Sequence, residues 1–328
     1  MSRYKLRANY DIENIDSQKM DGTVIVDVPM LSNGELNYGL SHIKKKLYEE
    51  NVYPSEIGFD IMSLATMVYM ADTRIERVVH GQDSWTREIE LEIPVSNVEI
   101  WDSQIRTVER MLKFLTGDLW KITLSSRAWQ FNNLEEVREK SNKYDEVSLF
   151  SGGMDSLIST INLMENKKNT LLISHAGEGL TKNAQKNIVN KFDLLYPDVL
   201  HTWLDLWMVF PRDYIPAGGN DNNTRSRSFL FIGYALFAMT GMDNINELLV
   251  PENGLIALNV PLDETRVGSF STRTTHPFYL SLWNELLVGL GLNLSVKNPY
   301  WNKTKGEMAG ECKNKDCLLY TSDAADDK

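Results

Sequence analysis

Two cysteines in 328 residues leave no disulfide framework to staple a fold. No run approaches the roughly 18 to 20 consecutive apolar residues that a membrane helix needs. Met1-Ser2-Arg3-Tyr4-Lys5 is not followed by the apolar core of a signal peptide. These absences lead us to expect a cytoplasmic protein that meets no membrane. A basic excess is missing too. The net charge is -11, so duplex nucleic acid, whose phosphates call for Lys and Arg, is a poor partner. There is no internal repeat and no Gly-Lys-Ser/Thr phosphate loop. What remains is ordinary globular material, 42% hydrophobic and 24% charged, enough to build a core in each of two domains.

The last stretch stands apart. Cys317-Leu318-Leu319-Tyr320-Thr321-Ser322-Asp323-Ala324-Ala325-Asp326-Asp327 reads as the translation of a sequencing-library adapter and has no periodicity tying it to what precedes it. We therefore expect residues 317–328 to be a non-native tail, and the natural chain to continue differently past Asp316.

Residues 1–131 read as a mixed α/β unit. The β-branched run Gly22–Val28 predicts a strand. Ile61, Leu64, Met67, Val68 and Met70 recur at helical spacing within Phe59–Arg77. Arg87–Val95 alternates polar and apolar residues, as a half-exposed strand does. Trp101–Leu115 predicts a helix ended by Gly117, and Trp120–Leu124 a strand. The polar stretch 132–145 is expected to be a linker. From 146 to 316 the rhythm is strand–helix–strand, with strands at 147–150, 171–174, 200–206 and 248–250 and helices at 155–165, 184–195 and 226–240. That alternation predicts an α/β domain with a parallel sheet covered by helices. Trp203-Leu204-Asp205-Leu206-Trp207-Met208 is expected in the core.

Between the first strand and helix of that domain lies Ser151-Gly152-Gly153-Met154-Asp155-Ser156. A polyphosphate demands several convergent N–H donors, which a turn of small residues at a helix N-terminus supplies. Gly152 and Gly153 let the backbone approach closely and take positive φ, and Ser151 and Ser156 add hydroxyls. Asp155 is an anion at an anion site, which makes sense when Mg²⁺ stands between it and the phosphates. Without a phosphate, the same residues would be a tight turn with a serine cap.

This hexapeptide resembles the Ser-Gly-Gly-x-Asp-Ser signature of the PP-loop ATP pyrophosphatases. Arg227-Ser228-Phe229-Leu230-Phe231, Thr304-Lys305-Gly306-Glu307-Met308 and Pro251-Glu252-Asn253-Gly254 resemble elements of the 7-cyano-7-deazaguanine synthase-like (QueC-like) branch. Ser228 stands where that branch has Asn. Residues 252–254 and Ser271–Pro277 resemble the members found in phage-defence operons, the QatC type, which also carry an extra N-terminal domain. The likeness covers 146–316 well and is weaker over Asp83–Arg87 and Phe114–Trp120. It implies an adenine-nucleotide alpha hydrolase-like, Rossmann-like domain preceded by a smaller docking domain. It also implies ATP and Mg²⁺ as cofactors and a carboxylate substrate, 7-carboxy-7-deazaguanine. The carboxylate is activated as an acyl-adenylate, with ammonia or a partner protein's amine as acceptor. Relatives hold Zn²⁺ with a cysteine cluster near the C-terminus. Here Cys312 stands alone before the tail, so zinc is expected only in a longer natural chain, and Cys312 as a buried thiol.

By the same resemblance Asp155, Arg227 and Lys305 are expected to be catalytic, and 151–156 with His175 to bind nucleotide, His175 near the adenine. Arg225, Glu252, Asn253 and Arg273 are expected to meet substrate. Each has a plainer reading. Arg225 and Arg227 begin a helix that Ser226 could cap, Thr304 and Glu307 form a capping box, and His276 is a loop residue. A different class remains open: a nucleotide-sensing subunit of a defence complex that binds ATP without chemistry. Transfer RNA thiolation would need a cysteine pair and a basic surface, and both are missing.

Overall fold

The computed structural model describes residues 3–132, 140–175, 179–208, 210–221, 225–258 and 273–322. The expected segment Ser271–Pro277 lies outside them up to Thr272.

Alternation builds the first sheet. In β1 (Arg3–Asn9) Tyr4, Leu6 and Ala8 are buried while Arg3, Lys5 and Arg7 face outward. A hairpin of β2 (Asp16–Met20) and β3 (Thr23–Pro29) and a small ribbon of β4 (Leu31–Ser32) and β5 (Glu35–Leu36) follow. Next come α1 (Leu40–Glu49), α2 (Glu56–Arg74), α3 (Arg77–His80) and β6 (Glu88–Val95). The first half closes with α4 (Val98–Asp102), α5 (Ile105–Thr116) and β7 (Leu119–Ser126). The strand order is β2-β3-β1-β6-β7, parallel except at β2. β6 shows the half-exposed alternation read from its sequence, and on its outer face Lys5 pairs with Glu90 and Glu92.

Two expected helices are divided. The chain leaves α2 at Ile75, which is extended at φ -120 and ψ 102, before α3 begins. α4 and α5 split the segment expected as one, and Gly117 ends α5 in the left-handed conformation at φ 78.

The second half holds β8 (Glu146–Leu149), α6 (Met154–Glu165), β9 (Thr170–His175), α7 (Gly179–Leu195), β10 (His201–Leu206), α8 (Arg227–Met239) and β11 (Glu247–Leu249). The short α9 (Gly254–Ala257), α10 (Pro277–Gly289), β12 (Ser295–Lys297), α11 (Lys305–Gly310) and α12 (Lys315–Ser322) complete it. Its sheet is parallel throughout, in the order β10-β9-β8-β11-β12. Every residue of β9 is buried, as a central parallel strand requires. The chain is thus a mixed α/β protein with parallel sheets, and the second sheet is consistent with a Rossmann-like fold. Its winding reverses between β8 and β11, the switch point where such sheets leave a crevice at the carboxyl ends of their strands.

The strands of the two sheets fall on either side of residues 132–145, and one hydrophobic core runs across both. Val147, Leu149, Leu171 and Ile173 pack in the same cluster as Leu6, Val26 and Leu91. α2 and α8 join them, lying against each other between the sheets. A Cβ on Gly233 of α8 would stand 2.9 Å from Ala65 Cβ of α2, so small residues set that approach. On the far side of the second sheet, Phe150, Leu157, Ile161 and Phe192 form a separate cluster with Met308 and Cys312.

Cys317 and Leu318, in the stretch expected to be a non-native tail, are buried in that far-side cluster within α12, which begins at Lys315. One expectation differs from the structure. Trp207, expected in the core, is 41% exposed, with the Lys182 ammonium 5.4 Å from its ring centre. Among the described residues, no helix is long and apolar enough to cross a membrane.

Candidate functional site

The loop after β8 is held from three sides. Gly152 sits at φ +83, which a residue with a Cβ rarely adopts. Ser151 Oγ accepts from Gly153 N at 3.2 Å and lies 3.1 Å from Ser156 Oγ, and Ser156 Oγ donates to Gly153 O at 2.9 Å. From α7, Gln185 Nε2 donates to Ser151 O at 2.9 Å. Asp155 lies in the first turn of α6, where the helix dipole favours an anion. Its Oδ2 accepts from Asn253 N at 2.9 Å and from Asn253 Nδ2 at 2.7 Å. Its Oδ1 is buried without a hydrogen-bond partner among the described residues. An orphaned buried carboxylate oxygen beside a glycine turn fits a hard cation shared with an anionic ligand.

A cavity of about 480 Å³ opens at the switch point. Ser151, Gly153 and Ser156 form one wall, Arg227 and Ser228 another, and Glu252, Thr274 and Thr275 a third. Leu149, Phe231, Ile232 and Val250 add apolar surface of the kind a flat ring packs on. Arg227 is fixed by His175: its Nε donates to Nδ1 at 3.2 Å and its Nη2 to the carbonyl oxygen at 2.7 Å. Burial and then the adjacent guanidinium push the His175 imidazole down to about 3, so the ring is neutral and accepts. Tyr69 from the first half meets that ring edge-on at 5.5 Å between centres. Glu252 Oε2 accepts from Thr275 Oγ1 at 2.5 Å and Thr274 Oγ1 at 3.3 Å. Burial raises the Glu252 carboxyl above its ordinary range, and the Asp155 charge adds to the rise.

The structure therefore brings together 151–156, His175, Arg227, Glu252 and Asn253. Three expected residues lie elsewhere. Arg225 Nη1 donates to Thr116 O at 2.9 Å, and its guanidinium stacks 4.6 Å from the Trp85 ring centre. Arg273 Nη1 donates to Phe114 O at 2.9 Å and stacks over that ring at 4.8 Å. Both arginines thus engage the last turn of α5, whose free carbonyls attract cations. Lys305 is exposed in the first turn of α11 and does not line the cavity. Thr304 and Glu307 there form the capping box read from the sequence. His276 caps α10, its Nδ1 accepting from Phe278 N at 3.1 Å.

Sequence reasoning passed over Gln185 and Asn298. Asn298 braces the Glu252 backbone, donating to its carbonyl oxygen at 2.7 Å and accepting from its N–H at 3.3 Å. Neither residue sits in a motif, and only the packing of α7 and of the turn after β12 brings them in. Cys312 and Cys317 are buried thiols, both pushed up by burial. Among the described residues no group of three or more His, Cys, Asp or Glu side chains is placed to hold a metal. Two thiols do not make the tetrahedral set a structural zinc takes, so no role here is assigned to zinc.

No family model and no curated protein matches the chain. Among solved structures, "Crystal structure of a ketoreductase domain from the bacillaene assembly line" aligns over 88% of this chain and 77% of that one, at 8% identity and a TM-score of 0.24. A likeness that weak carries no argument for fold or activity.

Proposed function

We propose that the cavity binds ATP with Mg²⁺ as a PP-loop ATP pyrophosphatase does, and that the protein adenylates a carboxylate with release of pyrophosphate. The observation that carries this reading is Asp155 Oδ1, a buried carboxylate oxygen without a partner among the described residues, in the glycine turn whose Ser151, Gly153 and Ser156 line the cavity together with Arg227. The loop N–H groups and the serine hydroxyls hold the phosphates, and Arg227, locked by His175, offsets their charge. Mg²⁺, when bound beside Asp155, neutralises phosphate charge. A substrate carboxylate oxygen then bonds to the α-phosphorus as the bond to pyrophosphate breaks, giving an acyl-adenylate. Ammonia or an amine displaces AMP and loses a proton. The site's contribution is mainly positioning and charge neutralisation.

By resemblance the carboxylate is 7-carboxy-7-deazaguanine and the setting phage defence, with a partner protein's amine as the alternative acceptor to ammonia. Pyrophosphate release from ATP-Mg²⁺, with and without that deazapurine, tests the reading. Release that depends on it and is abolished by Asp155→Ala supports adenylation. Retained turnover in Asp155→Ala sinks it. Tight ATP binding with no release assigns the protein to the other class, an ATP-sensing subunit.

A further inference from the structure

Among the described residues the first half of the chain contributes no wall to the cavity, yet it touches the start of the helix that carries the cavity's arginine. Ser226 is the N-cap of α8, whose first residue is Arg227. The Ser226 hydroxyl does not cap its own helix; it is buried and makes no hydrogen bond among the described residues. The acceptor comes from the other half: Asp72 Oδ2, in the last turns of α2, takes the Ser226 N–H at 2.9 Å. Asp72 is fully buried, and its Oδ1 is bound by Arg87 Nη2 at 2.5 Å.

Arg87 and Arg77 in turn grip Asp118. Arg77 does so through both terminal nitrogens at 2.6 and 2.9 Å, and Arg87 Nη2 at 2.7 Å. Asp221 closes the group, accepting from the Arg77 backbone N–H at 3.2 Å. With Arg225 beside them, three arginines (Arg77, Arg87, Arg225) face three aspartates (Asp72, Asp118, Asp221), so the formal charges cancel. Such a buried cluster is rarely more stable than an apolar core of the same shape, so stability alone is a weak account of it. What it fixes is geometry. Across the halves, Asp221 is tied to Arg77 of α3, Ser226 to Asp72 of α2 and Arg225 to Thr116 at the end of α5.

We propose that Asp72 is a positioning residue for the nucleotide site, capping α8 across the two halves so that Arg227 reaches His175 and the phosphates. The arrangement puts the position of Arg227 under control of the first half of the chain, which nothing in the cavity itself would require. This inference rests on the ATP reading for its binding test but not for its structural one.

The binding test is a double-mutant cycle. Asp72→Asn is expected to weaken ATP-Mg²⁺ binding about tenfold, as loss of one charged hydrogen bond does, and to raise KM more than it lowers kcat. In an Arg227→Ala background the same change is expected to alter affinity less than twofold, because its effect has already been removed. Fully additive losses overturn the proposal. If Asp72→Asn does not fold, Asp72→Glu keeps the cluster's charge balanced while displacing the acceptor. It is expected to fold and to weaken ATP binding, and wild-type affinity in that variant overturns the proposal. The structural test is amide hydrogen exchange without nucleotide. Amides of residues 226–230 are expected to exchange about tenfold faster in the Asp72 variant, those of β8 unchanged. Unchanged exchange at α8 overturns the proposal. A wild-type protein that binds no ATP overturns the adenylation reading instead, and the exchange result still decides the role of Asp72.

Discussion

Gly152 is the residue whose replacement tests the loop most directly. At φ +83 any side chain is strained, and an alanine Cβ there would stand 2.9 Å from Gln185 Cγ and close to the α7 backbone behind it. The left-handed conformation costs a residue with a Cβ about 1–2 kcal/mol. If Gln185 swings away to relieve the contact, its hydrogen bond to Ser151 O is lost, worth about 1 kcal/mol. Gly152→Ala is therefore expected to lower unfolding free energy by about 2–3 kcal/mol. Its neighbour is the control. Gly153 lies at φ -81, and a Cβ there meets only Ser151 Oγ at 3.5 Å. Gly153→Ala should change stability by under about 1 kcal/mol, since alanine also restricts the unfolded chain. Urea melts of the two variants read the difference. Under the proposed function both lose affinity for ATP-Mg²⁺, because either methyl group crowds the backbone that must approach phosphate. Equal stability in the two variants refutes the backbone reasoning.

The remaining tests address pH and packing. His175, with its imidazole held down to about 3 in the fold against 6.5 when free, binds fewer protons folded than unfolded between those values. Its contribution is complete above pH 6.5 and lost as pH falls toward 3. Wild type should lose on the order of 2 kcal/mol more between pH 7 and pH 4.5 than His175→Asn, which cannot titrate. Equal acid sensitivity in urea melts refutes the buried neutral ring. At the joint, Gly233→Val inserts atoms where a single Cβ already comes within 2.9 Å of Ala65. A loss of about 1–3 kcal/mol is expected by calorimetry, with Ala65→Gly recovering part of it. A neutral Gly233→Val means that α2 and α8 do not cross there.

The loop was legible because its chemistry is local. A glycine pair between a strand and a helix, with a serine on each side, marks a tight turn whatever surrounds it. The second sheet was legible for a related reason: its apolar runs at 147–150 and 171–174 are too short for helices and alternate with helical spacing. β1 carried the alternation Tyr4, Leu6, Ala8 against Arg3, Lys5, Arg7 and was still not read as a strand. Arg225 and Arg273 show where local reading ends. An arginine in a polar stretch near a motif looks the same whether it meets a phosphate or a helix carbonyl. Only the docking of α5 against the second half separates the two.

α2 makes the same point from inside the core. Its apolar residues recur at helical spacing, and that spacing says nothing of where its polar ones go. In the fold, Asp60, Ser63, Thr66, Asp72 and Thr73 are all buried. Burying carboxylates is costly unless every one finds partners, and each here has one that lies far along the chain. Asp60 takes Ser96 N at 2.9 Å and Arg127 Nη2 at 2.9 Å, and Asp72 takes Arg87 and the head of α8. The Thr66 and Thr73 hydroxyls bond back to their own helix, but the two buried carboxylates mark places where other segments are fixed in register. Asp60 serves the first sheet in that way, and Asp72 serves the site. A substitution at Asp60 should therefore weaken the fold while leaving the geometry of Arg227 unchanged, whereas one at Asp72, which also breaks the buried pair with Arg87, should weaken the fold and displace Arg227 as well.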